Sequence, residues 1–182
     1  QGGQINIESE DTTLLTEQSV VSVASEMQQG GVAKILGDKV GLLDEAVVDA
    51  SGATGGGEAL IGGDFQGSNP DVKNALRTYV AEDASIEADA TDAGDGGKVI
   101  VWADEIALYH GDISARGGVQ SGDGGFVETS GKEVLQFTGH VDVGAHNGKS
   151  GTVLLDPRDI TIVDAGGGAN DAELGDSEIL FA

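Results

Sequence analysis

The chain of 182 residues has no cysteine and only two prolines, and its aromatics are one Trp, two Tyr and four Phe. Without cysteine there is no disulfide scaffold, no thiolate zinc site and no Cys nucleophile. Scarce proline and the lack of a strict triplet exclude collagen. Long apolar runs are missing too, so no membrane span is read. Basic residues number 9 against 32 acids, a formal net charge of −23, and phosphate backbones would be repelled, which argues against nucleic-acid binding. The sequence begins with Gln1 and shows no signal peptide, so it reads as a processed or excised piece of something longer.

What is abundant is glycine, 31 residues, more than twice the usual level of roughly 7%. Gly pairs or their equivalents end at Gly3, Gly31, Gly57, Gly97, Gly125 and Gly151, with gaps of 28, 26, 40, 28 and 26 residues. Counted from these glycines, the sequence falls into columns. Two places on stand Ile5, Ala33, Ala59, Val99, Val127 and Val153, and four places on stand Ile7, Ile35, Ile61, Val101, Thr129 and Leu155. Between them lies a mixed column of Asn6, Lys34, Leu60, Ile100, Glu128 and Leu154. An i, i+2 pattern is the strand period, one face inward and one outward. Further apolar-polar-apolar stretches follow, such as Ile106-Ala107-Leu108 and Ile113-Ser114-Ala115, so each repeat holds about three short strands separated by Gly, Asp and Asn turns.

One such repeat cannot bury its apolar residues alone, whereas stacked copies can. The pattern predicts an all-β fold, a parallel β-helix (β-solenoid) of about six coils of 26–28 residues with one insertion, over residues 1–163. The crossover rule makes it right-handed. Helical repeats would need a period near 3.6 and few glycines. The long gap places the insertion at about 62–84, where Asn69 and Pro70 would cap a short helix with Val72, Leu76 and Tyr79 on one face. Residues 164–182, opening on Ala165-Gly166-Gly167-Gly168, read as a flexible Gly-rich tail or the start of a further segment.

The runs Gly96-Gly97-Lys98-Val99-Ile100-Val101-Trp102-Ala103-Asp104, Gly111-Asp112-Ile113-Ser114-Ala115-Arg116-Gly117-Gly118, Gly122-Asp123-Gly124-Gly125-Phe126-Val127-Glu128-Thr129-Ser130-Gly131 and Gly151-Thr152-Val153-Leu154-Leu155-Asp156-Pro157, in this order, resemble the large exoproteins of the filamentous-haemagglutinin type, exported by two-partner secretion in Gram-negative bacteria. The resemblance covers residues 57–163 well and the first two coils loosely. It places the block in the distal part of the β-helix, with the family's N-terminal secretion domain not recognisable. It implies a structural rod section of a secreted, cell-surface adhesin. Its implied partners are an outer-membrane two-partner transporter during export, and a host-cell, bacterial or polysaccharide surface afterwards, for attachment or biofilm contact. The residues agree with export: a Cys-free chain cannot be trapped by disulfides, and coil-on-coil contacts let folding propagate from one end.

Two alternatives stay open, a carbohydrate-active β-helix lyase or hydrolase and a self-assembling solenoid fibre that associates end to end. For catalysis the nearest paired groups are Asp104 with Glu105 and Asp156 with Arg158, but acids are so common that pairs arise freely, and no catalytic residue is assigned. Seven places after each glycine stand Glu10, Asp38, Asp64, Asp104, Lys132 and Arg158. Stacked, the acids Asp38, Asp64 and Asp104 would form a ladder able to hold Ca²⁺, or else an exposed turn column of solvated side chains. His110, His140 and His146 have no ligand rhythm and read as surface. Trp102 follows inward Val101, so it points outward, packing under the insertion or stacking on a sugar.

Overall fold

The computed structural model describes residues 2–157. The chain winds through three parallel sheets. The first coil contributes β1 (Gln4–Glu8), β2 (Thr12–Leu15) and β3 (Val20–Ser22), and the second β4 (Val32–Leu36), β5 (Lys39–Leu42) and β6 (Val47–Asp49). The third holds β7 (Glu58–Ile61), β8 (Arg77–Val80) and β9 (Ser85–Glu87). The fourth holds β10 (Lys98–Ala103), β11 (Ile106–Tyr109) and β12 (Asp112–Ser114), and the fifth β13 (Phe126–Gly131), β14 (Val134–Phe137) and β15 (His140–Asp142). The strand β16 (Thr152–Leu155) starts a sixth. The first sheet has order β1-β4-β7-β10-β13-β16, the second β2-β5-β8-β11-β14 and the third β3-β6-β9-β12-β15, and every pairing is parallel. The described solenoid is therefore five full coils and one strand, against the six expected.

Register follows the glycine count. Ile5, Ala33, Ala59, Val99, Val127 and Val153 are successive partners across the first sheet, as are Ile7, Ile35, Ile61, Val101, Thr129 and Leu155. From Ile5 and Ile7 to Val127 the apolar members, with Leu42, Val48, Val80, Ile86 and Ile113, form one core that runs through the stack, while Val153 and Leu155 on the last strand are exposed. A buried aliphatic side chain contributes about 1.5–3 kcal/mol, and here like residue lies on like residue from coil to coil. At the far end Tyr109 and Phe137 stack with ring centroids 5.2 Å apart. The glycine pairs sit where the third sheet turns into the first. A Cβ on Gly57 would run into the backbone of Gly30 and Gly31 on the coil before, so the repeat keeps glycine where coils approach most closely.

The inserted segment is shorter than read and carries no α-helix. Residues 62–76 leave the first sheet, and Arg77–Val80 return as β8 of the second. Tyr79 therefore stands on a strand, with Arg77 on the same outward face. Asn69 and Pro70 do not start a helix: the Asn69 side chain accepts from the N–H of Asp71 at 3.1 Å and donates to Asp64 at 2.7 Å, closing a tight turn. The only helical turn among the described residues is 3-10, at Phe65–Gly67. The expected tail at 164–182 lies outside the described residues.

Candidate functional site

Residues 62–76 lie on the outer face of the first sheet. Alternation turns Leu36, Leu60, Ile100 and Trp102 outward, and with Val72 of the insertion they form a second apolar cluster, against which Phe126 packs. Trp102 is buried at its centre, 5% exposed. Its ring lies so close to the insertion that a Cβ on Gly63 would meet it at 2.8 Å and one on Gly67 at 2.5 Å. Gly67 also has φ +57, so this position needs glycine for both space and conformation. Of the two sequence readings for Trp102, packing under the insertion is what the structure has. Phe65 meets Phe126 edge-on at 5.7 Å, while Tyr79, on the second sheet, lies beside His110.

Charges fasten this cover. Asp64 caps the 3-10 turn by accepting from the Phe65 N–H at 2.7 Å, accepts from Asn69, and takes the Lys98 ammonium at 2.6 Å. Burial works to raise its carboxyl, but these hydrogen bonds outweigh it and hold the group at about 2. Lys98 also reaches Glu58 at 2.7 Å. Although burial pulls its ammonium down, the two carboxylates raise it. Behind them Glu128, in the outward column but fully buried, accepts from the Gln66 N–H at 3.1 and 3.3 Å and from the Ser130 hydroxyl at 2.9 Å. Burial raises its carboxyl, opposed by those two donors. Lys73, at the far side of the insertion, pairs with Asp38 at 2.9 Å and donates to the carbonyl of Glu10 at 2.7 Å.

The acid ladder does not form as counted. The second sheet starts seven residues after the first in coil two (Val32 to Lys39) but eight after it in coils one, four and five (Gln4 to Thr12, Lys98 to Ile106, Phe126 to Val134). At the turn into the second sheet, Asp38 is followed by Leu76 and Glu105 on the next coils, not by Asp64 and Asp104. Asp64 belongs to the insertion. Asp104 accepts from the Trp102 indole N–H at 3.1 Å and from Asn74 at 3.4 Å. Each acid is thus held by its own partner, and among the described residues no three carboxylates or imidazoles come together to hold a metal.

The remaining candidates fall as follows. Glu105 pairs with Arg77 at 3.4 Å across coils. Asp156 and Asp104 both line a 310 Å³ pocket with Lys132, Trp102 and Gln66 beside the insertion, while Arg158 lies outside the described residues. His110 contacts the Thr138 hydroxyl at 2.6 Å, and His140 stands 3.9 Å from Asp112. His146 lines a 540 Å³ groove with Arg116 and Asp142. Sequence reasoning passed over Asp89, a buried carboxylate that accepts from Arg116 Nη2 at 2.6 Å, Arg116 Nε at 3.0 Å, the Arg116 N–H at 2.7 Å and the Ser114 hydroxyl at 2.5 Å. That hydrogen-bonded pair raises the Arg116 guanidinium further. The signal was present: the two residues are 27 apart, one coil period. Taken together, the polar side chains fasten coil to coil and insertion to sheet.

A known structure has this architecture. The crystal structure of the HMW1 secretion domain from Haemophilus influenzae is 36% identical to this chain and superposes with a TM-score of 0.69, covering 85% of this chain and 39% of that one. The resemblance read from the four glycine-bounded motifs is borne out by this similarity. The similar structure is a secretion domain, however, where the motifs had pointed to the distal part of the rod. No family model matches the chain, and comparison with curated proteins gives no match.

Proposed function

We propose that this chain is a load-bearing section of an exported exoprotein, a β-solenoid that folds as it emerges through an outer-membrane transporter and then serves as a rigid rod of a surface adhesin. The observation that carries this reading is the uninterrupted three-sheet stack at 36% identity to a secretion domain over 85% of the chain. The chain spans 39% of that structure, so transporter, surface attachment and adhesion to cells or biofilm belong to the whole exoprotein. Physical chemistry supports the export step. With no thiol, the chain crosses unfolded without disulfide traps. Each coil contacts mainly its neighbours, so the first coil out can template the next. Among the described residues no helix is long and apolar enough to cross a membrane.

The test is secretion of the exoprotein carrying this chain from cells with and without an outer-membrane two-partner transporter. Accumulation in the medium only with the transporter is expected, and equal export without it overturns the reading. For the adhesive role, exported exoprotein lacking one whole coil of this chain, compared at equal secreted amount with the intact exoprotein, should attach less to cells or to biofilm matrix. Unchanged attachment removes adhesion from the proposal.

A further inference from the structure

The corner that leads from the third sheet back to the first carries, in the fifth coil, an Asn-Gly pair. Asn147 and Gly148 are both exposed. The Asn147 side-chain amide donates at 2.8 Å to the carbonyl of Val119, 28 residues earlier on the coil before. Packing holds position 148 to glycine, since a Cβ there would run into the Gly122 carbonyl oxygen. Among the described residues the Gly148 N–H has no acceptor. The other asparagines differ. Asn6 lies within β1 and is followed by branched Ile7. Asn69 is followed by Pro70, which has no N–H. After Asn74, the N–H of buried Ala75 donates to the Gly62 carbonyl at 2.6 Å. Among the described residues, then, only Asn147 is followed by a backbone nitrogen that is exposed, unbonded and free of a flanking side chain.

We propose that Asn147 is a self-modification site whose conversion to an acid opens the corner between coils four and five. The Gly148 nitrogen attacks the Asn147 side-chain carbonyl carbon and closes a succinimide ring. The bond from that carbon to the side-chain nitrogen breaks, and ammonia leaves with the proton that Gly148 gives up. Water then opens the ring. Attack at the side-chain carbonyl gives aspartate, and attack at the main-chain carbonyl gives isoaspartate, in which the main chain runs through the side-chain methylene. The sum is asparagine plus water to acid plus ammonia, with no other reactant. Either acid lacks the proton that Asn147 gives to the Val119 carbonyl, so two acceptors face each other where a hydrogen bond joined the coils. It also adds a negative charge next to Gly148, against which the Asp123 carboxylate already lies. Isoaspartate further lengthens the main chain by one carbon. The turn is closely fitted: the Lys149 N–H donates to the Asp123 carboxylate at 2.8 Å, the Gly124 N–H to the Lys149 carbonyl at 2.8 Å and the Gly151 N–H to the Val143 carbonyl at 2.7 Å. The extra atom breaks this set and loosens the seat of β16 on β13. The inference does not depend on the export reading.

The test is to age the full chain at mildly alkaline pH, well below its melting temperature, and to map its peptides by mass with electron-transfer fragmentation, which tells isoaspartate from aspartate. Conversion at Asn147 is expected an order of magnitude faster than at Asn6, Asn69 or Asn74, with isoaspartate among the products. Hydrogen exchange in the aged chain should then be several-fold faster at Gly124, Lys149 and Gly151. It should be unchanged at Gly30 and Gly56, whose N–H groups bond in the same corner of earlier coils. Asn147→Gln keeps an amide but closes a ring far more slowly, and should abolish both changes. Equal conversion at the other asparagines, or conversion only once the chain begins to melt, overturns the proposal. So does full conversion at Asn147 with no change in exchange at the corner, or an aged Asn147→Gln chain that exchanges as fast as the aged wild type.

Discussion

The outer faces of the first and third sheets arise from the same repeat and differ in what lies on them. On the first sheet the outward places hold Leu36, Leu60, Ile100 and Trp102, buried under residues 62–76. On the third they hold Ser22, Asp49, Glu87, Ser114 and Asp142 in one column, exposed at Ser22 and half-buried at the other four, with Asp49 directly beside Glu87. Inward places are apolar in both sheets, because the core passes through every coil. Outward places take the character of whatever faces them. Solvent accepts even two stacked acids, with the Glu87 carboxyl raised first by partial burial and then by Asp49 and Asp89, against the pull of Arg116. A covering segment demands apolar surface and balanced charge.

The largest effect that separates the two faces should come from Trp102→Ala, which empties the centre of the covered cluster. A loss of about 3–5 kcal/mol is expected in denaturant unfolding, while an outward truncation on the third sheet such as Ser114→Ala costs about 1 kcal/mol. Equal losses would break the comparison. Asp64→Ala should come next, at about 1–2 kcal/mol, since it removes a cap and a buried partner of Lys98. Its pH dependence has a definite sign: the folded Asp64 carboxyl is depressed to about 2, so its contribution is present above the ordinary value near 3.8 and is lost as pH falls toward about 2. Acid melting of wild type should therefore be steeper in this window than that of Asp64→Asn.

Glu128 behaves in the opposite sense. Its carboxyl is raised in the folded chain, so the native state binds more protons and stability falls as pH climbs above the ordinary value of 4.5. Glu128→Gln keeps an acceptor for the Gln66 N–H and should flatten that decline in melting temperature above pH 5 or so. An unchanged slope would assign it to another group. The smallest effect is expected on the open face. Asp49→Asn keeps an acceptor for the Ser51 N–H and removes the like charge beside Glu87, a gain of a few tenths of a kcal/mol. Carboxyl titration by NMR should show Glu87 moving down toward its ordinary range.

Much of this was legible in the sequence, for reasons tied to particular residues. The columns through Ile5 and Ile7 were read correctly because the glycine pairs sit at the one corner where coils touch, which fixes the count into the first sheet. The ladder of Asp38, Asp64 and Asp104 failed because the count was carried past a second corner whose length changes between coils two and four. The insertion was misread as helical because Val72, Leu76 and Tyr79 have helical spacing, although Arg77–Val80 already alternate as a strand, Thr78 and Val80 inward. Glu128 was invisible as a buried acid because its column is outward. Only the loop from a different coil, bringing the Gln66 N–H over it, takes it out of water.

The insertion also changes how the rod bears force. In a stack of coils the ladder hydrogen bonds point along the axis, so tension loads the interfaces in series and the weakest opens first, coil by coil from an end. Residues 64–73 lie in parallel with that series: Lys73 holds the Glu10 carbonyl on the first coil and Asp38 on the second, Asp64 holds Lys98 on the fourth, and the Gln66 N–H holds Glu128 on the fifth. A pull that would peel one interface must also break this strap, so the segment that interrupts the repeat makes five separable layers yield as one mechanical unit.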